Sequence, residues 1–183
     1  MALEKPTYKV LKKEGNYELR EYDPYITSKV KVIARDYNEA ASRGFIPLAN
    51  YIFGANVSGE KISMTSPVSA KLLSEKIAMT APVTVTGSGT YSVEFMIPRK
   101  FTLDSLPVPN DERVLFEEHP KNRKAVVQFS GRFNQQNFEK HINLLQNWIR
   151  ELGLNEKSDP IIAGYNPPFF PWFLKHNEVL IEV

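Results

Sequence analysis

The chain has 183 residues, 42% of them hydrophobic, with 23 Lys+Arg against 21 Asp+Glu, a formal charge of +2, 13 prolines and no cysteine. That apolar content belongs to a globular chain rather than a disordered one, and the lack of thiols excludes a disulfide scaffold, an iron–sulfur cluster, a cysteine nucleophile and a cysteine-built zinc site. Three histidines leave little for a multi-histidine metal centre, and a surplus of two charges supplies no field for a nucleic-acid partner.

Met1-Ala2-Leu3-Glu4-Lys5-Pro6 has no apolar leader core, and the uncharged runs 44–59 and 77–93 are broken by Gly, Ser, Thr, Asn or Pro. No membrane span is expected, and the cytosol is the expected location. Strand character at 8–11, 17–22 and 25–33, separated by Gly15-Asn16 and Asp23-Pro24, predicts two hairpins. The period then changes. Ala41, Phe45, Leu48, Ala49 and Ile52 recur at helical spacing, with Asp36 as N-cap and Gly54 as the stop; Pro47 inside the pattern predicts a bend beside Gly44.

Next comes an internal near-repeat, Lys61-Ile-Ser-Met-Thr-Ser-Pro-Val68 and Lys76-Ile-Ala-Met-Thr-Ala-Pro-Val83. The two copies lie too close to be separate folding units. An antiparallel pairing with Met64 opposite Val83 and Val68 opposite Met79 puts the apolar residues on one face, with Pro67 and Pro82 at strand ends or bulges. Alternation over 91–97 predicts a half-buried strand, and further strands are expected at 113–118 and 124–130. A second amphipathic helix over 134–152, carrying Phe138, Ile142, Leu145, Trp148 and Ile149, closes at Gly153. Strands at 160–165 and 178–183 flank a loop of Pro and aromatic residues. Strands, helix, strands, repeated twice, make one α+β domain over 1–183 with an antiparallel sheet and two similar halves, about 8–100 and 112–183.

Five blocks occur in order: Tyr17-Glu18-Leu19-Arg20-Glu21-Tyr22, the two Met-Thr-(Ser/Ala)-Pro-Val copies, Phe95-Met-Ile-Pro98 with Leu106-Pro-Val-Pro-Asn-Asp111, Tyr165-Asn-Pro-Pro-Phe169, and Asn177-Glu-Val179. Together they resemble the SOUL family of heme-binding proteins over nearly the whole chain, and the doubled block looks like the expanded hairpin of bacterial and plant members. The resemblance implies a distorted antiparallel barrel or sheet with two outer helices, of the type shared with GyrI-like effector domains. It also implies a tetrapyrrole, heme or a related porphyrin, held in an apolar cleft beside the first helix. Arg43, Ile46 and Asn50 on that helix, Met64 and Met79 on the hairpin, His141 on the second helix, and Phe169 and Trp172 in the aromatic loop are then the candidate binding residues. No histidine precedes His119, so the resemblance transfers no axial ligand.

Each candidate has a plainer reading. Met64 and Met79 fit a core pattern as well as an iron ligand. Arg43 is either a propionate partner or a solvated flank, His141 a ligand or a rim histidine, and His119, at a strand end before Pro120, and His176, in a turn, are each a ligand or a hydrogen-bonded histidine. The sequence has no Ser–His–acid elbow and no phosphate loop. Three functions stay open. They are a non-enzymatic tetrapyrrole carrier or buffer, a small-molecule hydrolase of GyrI-like type for which Glu94 faces away from Tyr91, and an interaction module using 166–173.

Overall fold

Residues 4–59, 61–72, 89–166 and 170–183 are described in the computed structural model. Strands β1 (Tyr8–Glu14), β2 (Tyr17–Tyr22) and β3 (Tyr25–Ala34) precede helix α1 (Tyr37–Ile52). β4 (Val68–Leu72), β5 (Gly89–Met96), β6 (Leu115–His119) and β7 (Asn122–Phe129) follow, then α2 (Gln135–Glu151), β8 (Ile161–Gly164) and β9 (Asn177–Glu182). All named pairings are antiparallel, in the open order β1-β2-β7-β9-β8-β4-β5-β3-β6. The fold is α+β, built on an open antiparallel sheet rather than a closed barrel.

Only the first of the two expected hairpins forms. β1 and β2 pair around Gly15, whose φ of 57° is the left-handed conformation a tight turn needs. β2 and β3 are joined by Asp23-Pro24 yet do not pair: β2 takes β7 as its second neighbour, and β3 lies between β5 and β6. Each strand is paired elsewhere along its length, from Tyr17↔Val127 to Tyr22↔Asn122 for β2 and from Thr27↔Met96 to Ala34↔Gly89 for β3. The topology repeats: β3-α1-β4-β5 places its last strand between the other two, and β7-α2-β8-β9 does the same.

The pairing of Val68 with Met79 is not made. Val68 has two edges, and they are taken by Phe95 of β5 and Gly164 of β8. The other half of the expected hairpin, 76–83, lies outside the described residues. β5 is not half-buried either, since Ser92 and Met96 are enclosed along with Tyr91, Val93 and Phe95.

Asp36 caps α1 by accepting the Glu39 amide at 2.8 Å, and Gly54 follows the helix at φ 108°. α1 continues through Pro47, which is buried. At Gly44 the structure shows a close approach to the sheet. A Cβ there would meet Val93 Cβ at 2.4 Å, so glycine lets the helix lie directly on β5. Gly44→Ala is therefore expected to cost about 1–3 kcal/mol by overpacking, read as a lowered urea midpoint with unchanged slope; an unchanged midpoint would refute the close-approach argument.

α2 is capped by Asn134, which accepts the Asn137 amide at 3.0 Å, and it buries Phe138, Leu145, Trp148 and Ile149. α1 packs on β3, β4 and β5, α2 on β7 and β9, and one hydrophobic cluster runs through both helices. The opposite face of the sheet carries no described helix. Its small apolar patch of Tyr22, Val126, Ala163 and Leu180 is surrounded by ionisable side chains.

Candidate functional site

The outer face of α1 presents Arg43, Ile46, Asn50 and then Phe53 to solvent, residues three or four apart that fall on one stripe. Ile46 is 62% and Phe53 60% exposed, unusual for large apolar side chains, and Val57 and Val108 continue the exposed surface past the helix end, joined by a Val57 N–H to Val108 carbonyl bond of 2.9 Å. Arg43 donates to the Ile33 carbonyl at 2.9 Å and pairs with Glu39 at 2.8 Å, which holds a cation at the upper end of the stripe. Three of the depressions on the described surface are lined by strands and loops, without a residue of α1. Helix α1 thus offers an apolar strip rather than one of these hollows.

The remaining expected site residues are dispersed. Met64 is partly buried against the core, as a gap-filler would be. Trp172 is 54% exposed, next to the exposed Phe173 and Leu174, with Arg132 stacked 5.7 Å from its ring, so this segment is not a core plug. Met79 and Phe169 lie outside the described residues. His141 stacks on Phe129 at 3.9 Å, and its Nδ1 lies 2.6 Å from the Asn137 carbonyl. A carbonyl oxygen only accepts, so Nδ1 is the donor in this bond.

Neither of the other two histidines is on the α1 stripe. His176 Nε2 bonds Glu178 at 3.1 Å. His119 lies on the helix-free face, stacked on Tyr25 at 4.6 Å, with Nε2 2.9 Å from Thr27 Oγ1 and 3.6 Å from Glu94. Burial, followed by the charge of Lys124, pushes His119 down to about 4. Glu94 does face away from Tyr91, as alternation requires, and burial followed by repulsion from Glu117 raises its carboxyl above the ordinary range.

Glu94, Glu117 and His119 bring ligand atoms within 4.8 Å of one another. Their surroundings do not suit a metal cation. Glu117 is ion-paired with Lys29, His119 is held by Thr27, and Lys124 and Lys71 add positive charge beside the imidazole. These residues line a cavity of about 360 Å³ on the helix-free face, with Tyr22, Tyr25 and Tyr165 among its walls.

The SOUL heme-binding protein family model matches residues 3–182. The chain belongs to the SOUL family. Among curated SOUL relatives, Heme-binding protein 2 of Mus musculus is 29% identical, over 99% of this chain and 90% of its own length. Heme-binding protein 1 of Xenopus laevis is 25% identical, over 88% and 84% respectively. The crystal structure of the EcmrR C-terminal domain aligns at TM-score 0.64 and 13% identity, covering 96% of both chains. An uncharacterized conserved protein from Listeria innocua aligns at TM-score 0.68 and 11% identity, covering 92% of this chain and 91% of its own. At these identities the two structures establish a shared fold.

Three of the five SOUL blocks recognised in the sequence converge on one buried ion network, away from the α1 stripe. Arg20, fully enclosed, donates to Glu18 at 2.7 Å, to Tyr22 at 3.1 Å, and to both oxygens of Glu178 at 3.1 and 2.8 Å, with the Tyr8 ring 4.2 Å from its guanidinium. Tyr165 donates to Glu178 at 2.6 Å, and Asn166 accepts the His176 amide at 2.6 Å. The blocks Tyr-Glu-x-Arg-x-Tyr, Tyr-Asn-Pro-Pro-Phe and Asn-Glu-Val thus tie β2, β9 and the end of β8 together. Nothing in the sequence showed that these separated blocks meet.

Proposed function

We propose that this SOUL protein binds heme or a related tetrapyrrole without catalysing a reaction, as a carrier or buffer. The macrocycle lies against the exposed α1 stripe, Ile46, Asn50 and Phe53 meet its face, and Arg43 meets a propionate. The observation that carries the reading is this solvent-facing apolar row with a cation at its end, in a chain whose family is one of heme-binding proteins. Apolar burial contributes about 25 cal/mol per Å², so a flat guest covering such a stripe can be held without iron ligation, after the entropic cost of association is met. None of the three histidines lies on the stripe, so coordination by a side chain is not part of the proposal. When bound, heme would bring its own iron chemistry; the chain's part is to hold it and shield one face.

Hemin titration followed at the Soret band tests the reading. Saturable binding is expected at micromolar hemin. Ile46→Glu should weaken it by at least about tenfold, because a carboxylate would be placed under the apolar macrocycle face. Arg43→Ala should weaken it a few-fold, as befits an exposed ion pair. His141→Ala should leave both affinity and spectrum unchanged. No shifted band and no aromatic quenching in the parent protein, or an Ile46→Glu variant that binds equally well, would overturn the proposal.

A further inference from the structure

The helix-free face of the sheet poses a separate physical problem. A sheet face turned simply to water would carry exposed charges, whereas here Lys124 is 5% exposed, and Thr27, Ser92 and Tyr22 are buried beside it. Burying an ammonium is costly unless it is paired. The Lys124 ammonium has three donors. One goes to Tyr25 Oη at 2.8 Å, and the Tyr22 and Tyr25 rings lie 5.2 and 5.3 Å away. Among the described residues no ion pair involves Lys124 or Lys71.

The nearby carboxylates are committed elsewhere or stop short of an ion pair, Glu94 and Glu182 acting on Lys124 only as more distant charges. Glu117 is paired with Lys29. Glu182, directly across from Lys124 in the β7–β9 ladder, forms no ion pair among the described residues, and neither does Glu94 with any lysine. Burial and the repulsion from Glu117 also favour the protonated form of Glu94. Lys29, Lys71 and Lys124 all add positive charge at His119, in which burial favours the neutral imidazole. Four lysines, Lys29, Lys31, Lys71 and Lys124, line the cavity against the three carboxyls of Glu94, Glu117 and Glu182. It therefore holds more cation than its own carboxylates neutralise, inside aromatic walls, although burial works against the charge on Lys124 and only the more distant Glu94 and Glu182 support it.

Independently of the heme reading, we propose that this cavity binds a compact organic carboxylate, its anionic group held by the ammonium ions of Lys124 and Lys71 and its body by the tyrosine walls. Its 360 Å³ lies at the small end of ligand sites, about 300–1,000 Å³, which selects molecules the size of a substituted benzoate. Glu94 and His119, at hydrogen-bonding distance from the same space, would read a donor group on the ligand.

Isothermal titration with benzoate, its neutral amide benzamide and the cation benzylamine tests the charge requirement. Benzoate is expected to bind saturably, and the other two at least about tenfold more weakly. Lys124→Met should abolish benzoate binding, and Lys71→Ala, at a half-buried position, should weaken it several-fold. Should Lys124→Met fail to fold, the Lys71→Ala result alone decides. Absence of benzoate binding, equal binding of benzamide or benzylamine, or full affinity in Lys71→Ala would overturn the proposal. The hemin titration is expected to be unaltered in Lys71→Ala, so failure of one site is distinguishable from failure of the other.

Discussion

Arg20→Met is expected to destabilise the protein by about 3–5 kcal/mol, the largest single loss of any substitution considered, because it leaves buried carboxylates without their counter-ion. The guanidinium has no exposed surface and satisfies Glu18 and both oxygens of Glu178. Removing it would strand Glu178, which is 2% exposed. Tyr165→Phe deletes one bond to that carboxylate while keeping the ring, and should cost about 1.5–3 kcal/mol. Urea unfolding followed by circular dichroism measures both. Losses below about 1 kcal/mol in both variants would mean that the network contributes specificity of pairing without stability.

The same network has an acid signature. Burial opposes ionisation of Glu178, but the hydrogen bonds from His176, Arg20 and Tyr165 and the charge of Arg20 prevail and hold it at about 2, against an ordinary 4.5. A carboxyl depressed in the folded state stabilises fully above the unfolded value and loses that contribution as pH falls from 4.5 toward 2. Glu178→Gln should be less stable than the parent at neutral pH, and the gap should narrow through that window.

How much of this was legible in the sequence follows from the range of each interaction. Both helices were readable because their signals are local: Asp36 accepts an amide three residues on, and the second helix shows its apolar stripe from Phe138 to Ile149. Strand existence was readable for the same reason. Pairing was not. Asp23-Pro24 looks like a hairpin turn, but the partners of β2 and β3 are set by sheet edges a hundred residues away, which no local signal encodes. Val68 opposite Met79 was a plausible register only while β5 and β8 were not known to claim both edges of β4. At the site, the family resemblance pointed to Arg43, Ile46 and Asn50 on the first helix. It could not show that Phe53, beyond the helix end, joins them. The helix-free cavity was missed because Lys29, Lys71, Glu94, Glu117 and Lys124 each read as an ordinary outward residue of an alternating strand. A signal was present: Lys and Glu recur at the polar positions of several strands, and a curled sheet turns such positions inward.

His119 supplies a second acid response, of opposite chemistry to that of Glu178. A buried histidine kept neutral in the folded state takes up its proton late, at about 4, whereas the unfolded chain takes it up near 6.5. Between those values the unfolded state binds more protons, so stability is complete above 6.5 and falls as pH drops toward 4, by up to about 3 kcal/mol. The groups facing the ring fix the direction. Tyr25 stacks on it, Thr27 bonds it, and Lys124, Lys29 and Lys71 oppose a positive charge there, while Glu117 and Glu94 favour one. Glu94, raised in the folded state, contributes with the reverse sign, since its native form holds a proton that the unfolded chain has already released. A stability profile of the parent protein alone would therefore mix two opposing slopes, and the His119→Gln profile must be compared with that of Glu94→Gln. NMR separates them directly. The His119 imidazole should remain neutral in the native protein down to about pH 4, while His119→Gln flattens the loss of stability between 6.5 and 4. Titration of His119 near its ordinary value would show that the ring meets water freely, and with it that the cavity is too open to hold a ligand by a buried lysine.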